Sequence, residues 1–137
     1  MMERPLGVTV LGVLSLVSGL WRLLKALVWF GVGGAVAGIT FLAHPVAGTV
    51  VGGMALLFGT LALVMGIFSL LFAYGAFTLK PWARTLGVWT HGAILAWSLL
   101  AVMGPGMFSE RWVDIAVSGV ILYYLTRPEI KQAFGKR

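Results

Sequence analysis

The chain contains no cysteine, so disulfides, iron–sulfur clusters and thiolate metal sites are excluded. It contains no asparagine, and its one glutamine is Gln132. Such depletion fits a thermophile, and a GC-rich genome would produce it too. Charge is scarce: 10% of the residues are charged, and only four are Asp or Glu. A soluble domain carries about a quarter charged residues. The four carboxylates, Glu3, Glu110, Asp114 and Glu129, all fall near predicted helix ends. None sits at a predicted membrane midplane, where a proton-coupled antiporter usually needs one. No phosphate-binding loop, catalytic-triad order or metal-ligand cluster is present, so no enzymatic activity is expected.

Apolar surface is what the chain has. It is 60% hydrophobic over 137 residues, with a mean hydropathy of +1.00. Its apolar runs reach the ~20 residues needed to span a bilayer. One all-α transmembrane domain covering the whole chain is therefore expected. The net charge of +6 reads as basic cytoplasmic loops rather than as a nucleic-acid surface. Ala35-Val36-Ala37 looks like a signal-cleavage site, but Arg22 and Lys25 interrupt the apolar stretch before it, and no cleavage is expected.

One helical seam carries only small residues: Gly48, Gly52, Ala55, Gly59, Ala62, Gly66, Ser69, Ala73 and Ala76. The steps alternate four and three, the 3.5-residue period of a left-handed helix pair. In a bilayer such seams let helices approach closely. The partner is either another helix of the same chain, a second copy, or a different subunit. The helix after the seam offers Ala83, Gly87 and Thr90, then Ala93, Ala96 and Ala101.

Four spans are expected, at about 6–30, 46–79, 82–103 and 110–126, with a surface helix at 127–134. Pro5 suits a first helical turn. Gly31 to Pro45 reads as a glycine-rich connection. Lys80-Pro81-Trp82-Ala83-Arg84 is a tight basic turn, with Trp82 in the headgroup belt. Gly104-Pro105-Gly106 stops the third span, and Ser109 is the expected N-cap of the fourth. Trp112, Tyr123 and Tyr124 mark interfaces. Thr126-x-x-Glu129 is a capping-box pattern. Ile130 and Phe134 give the last helix an apolar face suited to a membrane surface. Four spans place seven basic residues on the side of the termini and three, Arg22, Lys25 and Arg111, opposite, which predicts both termini inside. A five-span rival makes Arg22–Lys25 a turn between two short spans.

Several polar residues are candidates for binding. Ser15, Ser18, Arg22 and Lys25 form one stripe on the first helix. Arg22 and Lys25, with Asp114 as an ion-pair partner across the bundle, suit an anion or lipid-headgroup site. Interfacial snorkelling with a structural ion pair is the plainer reading. Arg84, His91 and Ser98 share a face of the third span. His91 suits a haem or chlorophyll ligand, or a helix–helix hydrogen bond to a carbonyl, Ser or Thr. No cofactor is expected on the stronger reading.

Arg4-Pro5-Leu6-Gly7, Lys80-Pro81-Trp82-Ala83-Arg84 and Tyr123-Tyr124-Leu125-Thr126-Arg127-Pro128-Glu129-Ile130-Lys131 together resemble small four-helix bacterial and archaeal membrane proteins of uncharacterised function. The likeness runs the length of the chain. It implies architecture and brings no activity, cofactor or catalytic residue. The Arg22/Lys25 pair departs from the uniformly apolar first helix expected there. The functional expectation is a non-enzymatic accessory or scaffold subunit in a prokaryotic inner membrane. Its partners would be lipid, other membrane subunits or its own copy, with no nucleic acid. A small homo-oligomeric channel or transporter using Arg22 and Lys25, and a haem- or pigment-binding subunit using His91, are the alternatives.

Overall fold

A computed structural model describes residues 6–102 and 108–135, with backbone alone at 101 and 108–110. All regular structure among the described residues is helical: α1 (Leu6–Val28), a π turn (Trp29–Gly33), α2 (Gly34–Ala43), α3 (Pro45–Phe77), α4 (Pro81–Val102), α5 (Phe108–Thr126) and α6 (Pro128–Gly135). Two stretches are long and apolar enough to cross a membrane. One is the 38-residue run Leu6–Ala43, and the other is the 33 residues of α3.

The largest departure from the sequence reading lies between 31 and 45. That segment is helical through Ala43, and His44 alone separates α2 from α3. Each glycine costs a helix about 1 kcal/mol, but an open loop would give up the backbone pairing that the helix keeps through this apolar stretch. Gly31 and Gly33 fall within the π turn, and Gly34 and Gly38 lie in α2. The helix is also continuous through Arg22 and Lys25, so these residues make no turn of the kind the five-span rival needs. At His44 the backbone is extended (φ −144°, ψ 92°), as expected before a proline, and Pro45 opens α3.

The chain divides into two compact units, residues 20–67 and residues 1–19 with 68–137. The first is a helical hairpin. Seam residues of α3 meet the preceding run in antiparallel order: Gly48 against Phe41, Gly52 against Ala37, Ala55 against Gly33, and Gly59 against Phe30. A side chain at 48 would strike the Phe41 backbone itself. Trp29 and Phe58 close the flank with ring centroids 5.3 Å apart. The partner of the seam here is thus the segment that the sequence reading assigned to a connection, not the following helix.

The second unit is built around Val8, Leu11, Phe72, Ala76, Ala83, Ile121, Leu125, Ile130 and Phe134. The α3–α4 turn sets its geometry. Lys80 N–H donates to Gly75 O (2.9 Å) and Leu79 N–H to Ala76 O (3.2 Å), the paired bonds of a Schellman cap. Leu79 takes the left-handed position usually held by glycine (φ 53°) and packs on the apolar cluster. α4 then returns closely enough that Gly75 faces Ala83 and Gly87 receives the ring of Phe72.

Two expectations at the C-terminal end are corrected. Ile130 and Phe134 of α6 are buried in the protein's own core, so that apolar face meets protein instead of lipid. The Thr126 hydroxyl donates to Tyr123 O (2.6 Å), which completes α5, and the capping box does not form. α5 begins at Phe108, so Ser109 lies inside its first turn. Glu3, Arg4, Pro5, Gly104-Pro105-Gly106, Lys136 and Arg137, and the side chains of Ser109 and Glu110, lie outside the described residues.

Candidate functional site

Within the second unit, the step beyond the apolar cluster is polar. Leu11 leads to Ser15 four residues on, Phe72 back to Ser69, and Ile121 back to Ser118 three residues before it. These intervals keep each pair on one helix face. Ser15, Ser69, His91 and Ser118 are all fully buried or within 1% of it. Ser15 Oγ and His91 Nε2 share a hydrogen bond of 3.3 Å between α1 and α4. The His91 ring meets Phe72 edge-on, with centroids 5.6 Å apart. That geometry ties His91 to both Phe72 in the cluster below and Ser15 beside it. Thr90 and Ser98 are buried on the same helix.

His91 therefore makes a helix–helix hydrogen bond of the kind the sequence offered beside the ligand reading. Its Nε2 faces a hydroxyl, and a haem or chlorophyll would have to displace Ser15 to use that nitrogen. The described residues hold no cluster of His, Cys, Asp or Glu able to bind a metal ion.

The Ser15-to-Lys25 stripe runs from the second unit into the hairpin. Ser15 and Ser18 belong to the second unit, Arg22 and Lys25 to the hairpin, and Asp114 to the second unit again. Arg22 is 9% exposed. The Lys25 ammonium lies 5.7 Å from the Trp21 ring centroid, one turn away on the same helix, and a cation–π contact of that kind contributes about 0.5–1 kcal/mol at an exposed site.

A basic collar closes the other end of the second unit. Lys80 and Arg84 flank the start of α4, and the Arg84 Nε is buried with no hydrogen-bond partner among the described residues. Arg127 donates to the Tyr123 hydroxyl (2.6 Å) and lies over its ring at 5.0 Å. That hydrogen bond raises the Arg127 pKa further above its ordinary value, so the guanidinium is charged at every accessible pH.

Seven of the nine seam residues are buried, Gly52 and Ala62 being half-buried. Of the small residues on α4, Ala83, Gly87 and Thr90 are buried, while Ala93 and Ala96 are exposed. Ser118 is the site residue that sequence reading missed. Its signal was its spacing from Ile121, a position that becomes meaningful only once that face is known to be inward. No protein-family profile, no curated protein and no solved structure matches the chain. The resemblance drawn from the motifs therefore has no family match beside it.

Proposed function

We propose that this is a four-span membrane protein, with both termini inside, that works without catalysis as an accessory subunit docking other membrane helices. One observation carries the reading: the side-chain distribution is inverted. The buried residues include Ser15, Ser69, Thr90, His91, Ser98 and Ser118, whereas the exposed ones include Leu20, Leu27, Ile39, Leu42, Trp89, Trp97 and Leu100. Water would penalise such a surface, while lipid is as apolar as leucine and leaves small and polar residues to hold helices together. Lengths agree for α4 and α5. Their 22 and 19 residues correspond to about 33 Å and 28 Å at 1.5 Å per residue, against a hydrocarbon core of about 30 Å.

The docking role follows from the length of the Leu6–Ala43 run. Its 38 residues extend ~57 Å. That helical path is nearly twice the ~30 Å hydrocarbon core. The tip is nonetheless apolar and open, with Ile39, Leu42 and Val46 at 71%, 86% and 81% exposure. We assign that surface to the helices of a partner subunit. A second copy would most naturally use the small-residue seam, and the chain fills that seam itself.

The absence of cysteine makes the test direct. Photo-crosslinkers at Leu42 and Val46 in native membranes should capture one discrete heterologous protein, and the same protein should co-migrate with the chain on a native gel. Capture of lipid alone, or of a second copy, overturns the docking role. Topology is tested separately with single cysteines: His44→Cys should label only from outside and Lys80→Cys only after permeabilisation. Labelling of both from one side overturns four spans.

A further inference from the structure

The buried Ser118 hydroxyl is a polar group in the interior of the second unit that the described residues leave without a partner. Ser118 is 1% exposed, and its Oγ has no hydrogen-bond partner among the described residues. It does not bond back to its own helix, the usual resort of a serine in an apolar helix. A buried hydroxyl left this way loses its hydration and gains nothing in return. The surroundings are not apolar, however. Ile121, one turn below on the same face, is in the cluster with Leu11 and Phe72. One turn above those two stand Ser15 and Ser69, and His91 is bonded to Ser15. Four helices thus each bring a small polar or imidazole group to the same level, above one apolar floor.

The side chains that meet there are short. Three serines fill far less volume than the leucines or phenylalanines that such inward positions carry in the layer below. A layer of hydroxyls and one imidazole offers both donors and acceptors. That chemistry suits a small molecule that donates and accepts at once. Buried waters sit in such places, typically making about three hydrogen bonds to polar groups that would otherwise go unmet.

We propose that the four-helix unit contains a specific water site, in which one buried water accepts from or donates to Ser118 Oγ and bridges α5 to the Ser15–His91 pair. The water is then a structural component of the bundle. It lets serine be used at the helix interface, where the small side chain permits close approach, without leaving its hydroxyl unpaired.

The test uses the full chain in deuterated detergent micelles. Nuclear Overhauser and rotating-frame experiments should give cross-peaks of opposite sign between water and the Ser118 amide or the His91 ring, the signature of a water held for longer than the tumbling time. Ser118→Ala should abolish those cross-peaks and lower the folded-to-unfolded ratio in an SDS titration roughly fivefold or more. If the hydroxyl is truly dry, removing it relieves an unpaired polar group, and Ser118→Ala is neutral or stabilising. That result, or the absence of water cross-peaks in the unsubstituted protein, overturns the site. The spectroscopic arm stands even if the variant fails to fold, and neither arm depends on partner docking.

Discussion

One small-residue seam runs the length of α3, and the two units of the molecule use it differently. In the hairpin, most of its residues face backbone and small side chains, Gly48 the Phe41 main chain, Gly52 Ala37 and Ala55 Gly33, and Gly59 alone of the four faces a ring, that of Phe30. In the second unit, Ser69, Ala73 and Ala76 are just as buried, but beside the close approach of Gly75 to Ala83 the tight contacts are rings in notches. Phe72, from between the seam positions, enters the space left by Gly87, and Phe77 enters that left by Gly12. Small residues at a 3.5 period declare that something comes close. Whether backbone or an aromatic ring fills the space is decided by the opposing helix. This difference governs what a methyl group added to each unit should cost.

Gly48→Ala should have the largest effect. The new Cβ would meet the Phe41 N and Cα as well as its side chain, and a main chain held by a one-residue turn at His44 has nowhere to retreat. Overpacking costs about 1–3 kcal/mol and sometimes more, and this site belongs at or beyond the upper end. Equilibrium unfolding in mixed micelles measures it. A loss below about 1 kcal/mol would mean that the hairpin tip is looser than its contacts imply, and the contrast between the units would fail.

Gly87→Ala and Gly59→Ala form a matched pair, since each new Cβ would meet a phenylalanine ring. The rings differ in freedom. Phe72 is fully buried and held edge-on by His91, whereas Phe30 is 37% exposed and can swing outward. Gly87→Ala should therefore cost about 1–3 kcal/mol and Gly59→Ala well under 1 kcal/mol. Gly87→Ala should also shift the His91 ring resonances, because displacing Phe72 disturbs the Ser15–His91 bond. Equal costs for the two variants would show that the ring at 72 is not fixed.

Much of this architecture was legible from residue types alone. The seam, the α3–α4 turn and the inward phase of Ala83 and Gly87 follow from spacing, because a helix fixes which residues share a face. The connection at 31–45 misled because Gly31, Gly33, Gly34 and Gly38 suggest a loop by propensity, and propensity is a weak guide where unpaired backbone has no water to turn to. α6 misled differently. Ile130 and Phe134 correctly mark an apolar face, yet composition does not distinguish a face covered by lipid from one covered by protein. The Ser15–His91 bond was half visible, as an imidazole that needed a partner. Its partner sits 76 positions away, and no local pattern encodes that pairing. Ser118 was invisible for the same reason: its role is defined by three other helices.

The smallest effect is expected where the hairpin has no partner at all. Gly53 lies within the seam stretch but off its face, exposed, and an added Cβ there meets nothing within 4 Å. Alanine suits a helix interior better than glycine by about 0.8–1.0 kcal/mol in water, largely because glycine is freer when unfolded. In a micelle, where the unfolded chain retains much of its helix, part of that gain disappears. Gly53→Ala should therefore be neutral to slightly stabilising, by less than about 1 kcal/mol. Gly52 is the control one position away. Its added Cβ would lie 3.5 Å from the Ala37 Cβ, an ordinary contact, so Gly52→Ala should also be tolerated, whereas Gly48→Ala one turn earlier is not. A clear destabilisation by Gly53→Ala would mean that its face is covered in the folded protein, and that the hairpin packs against something through the side directed away from its own first helix.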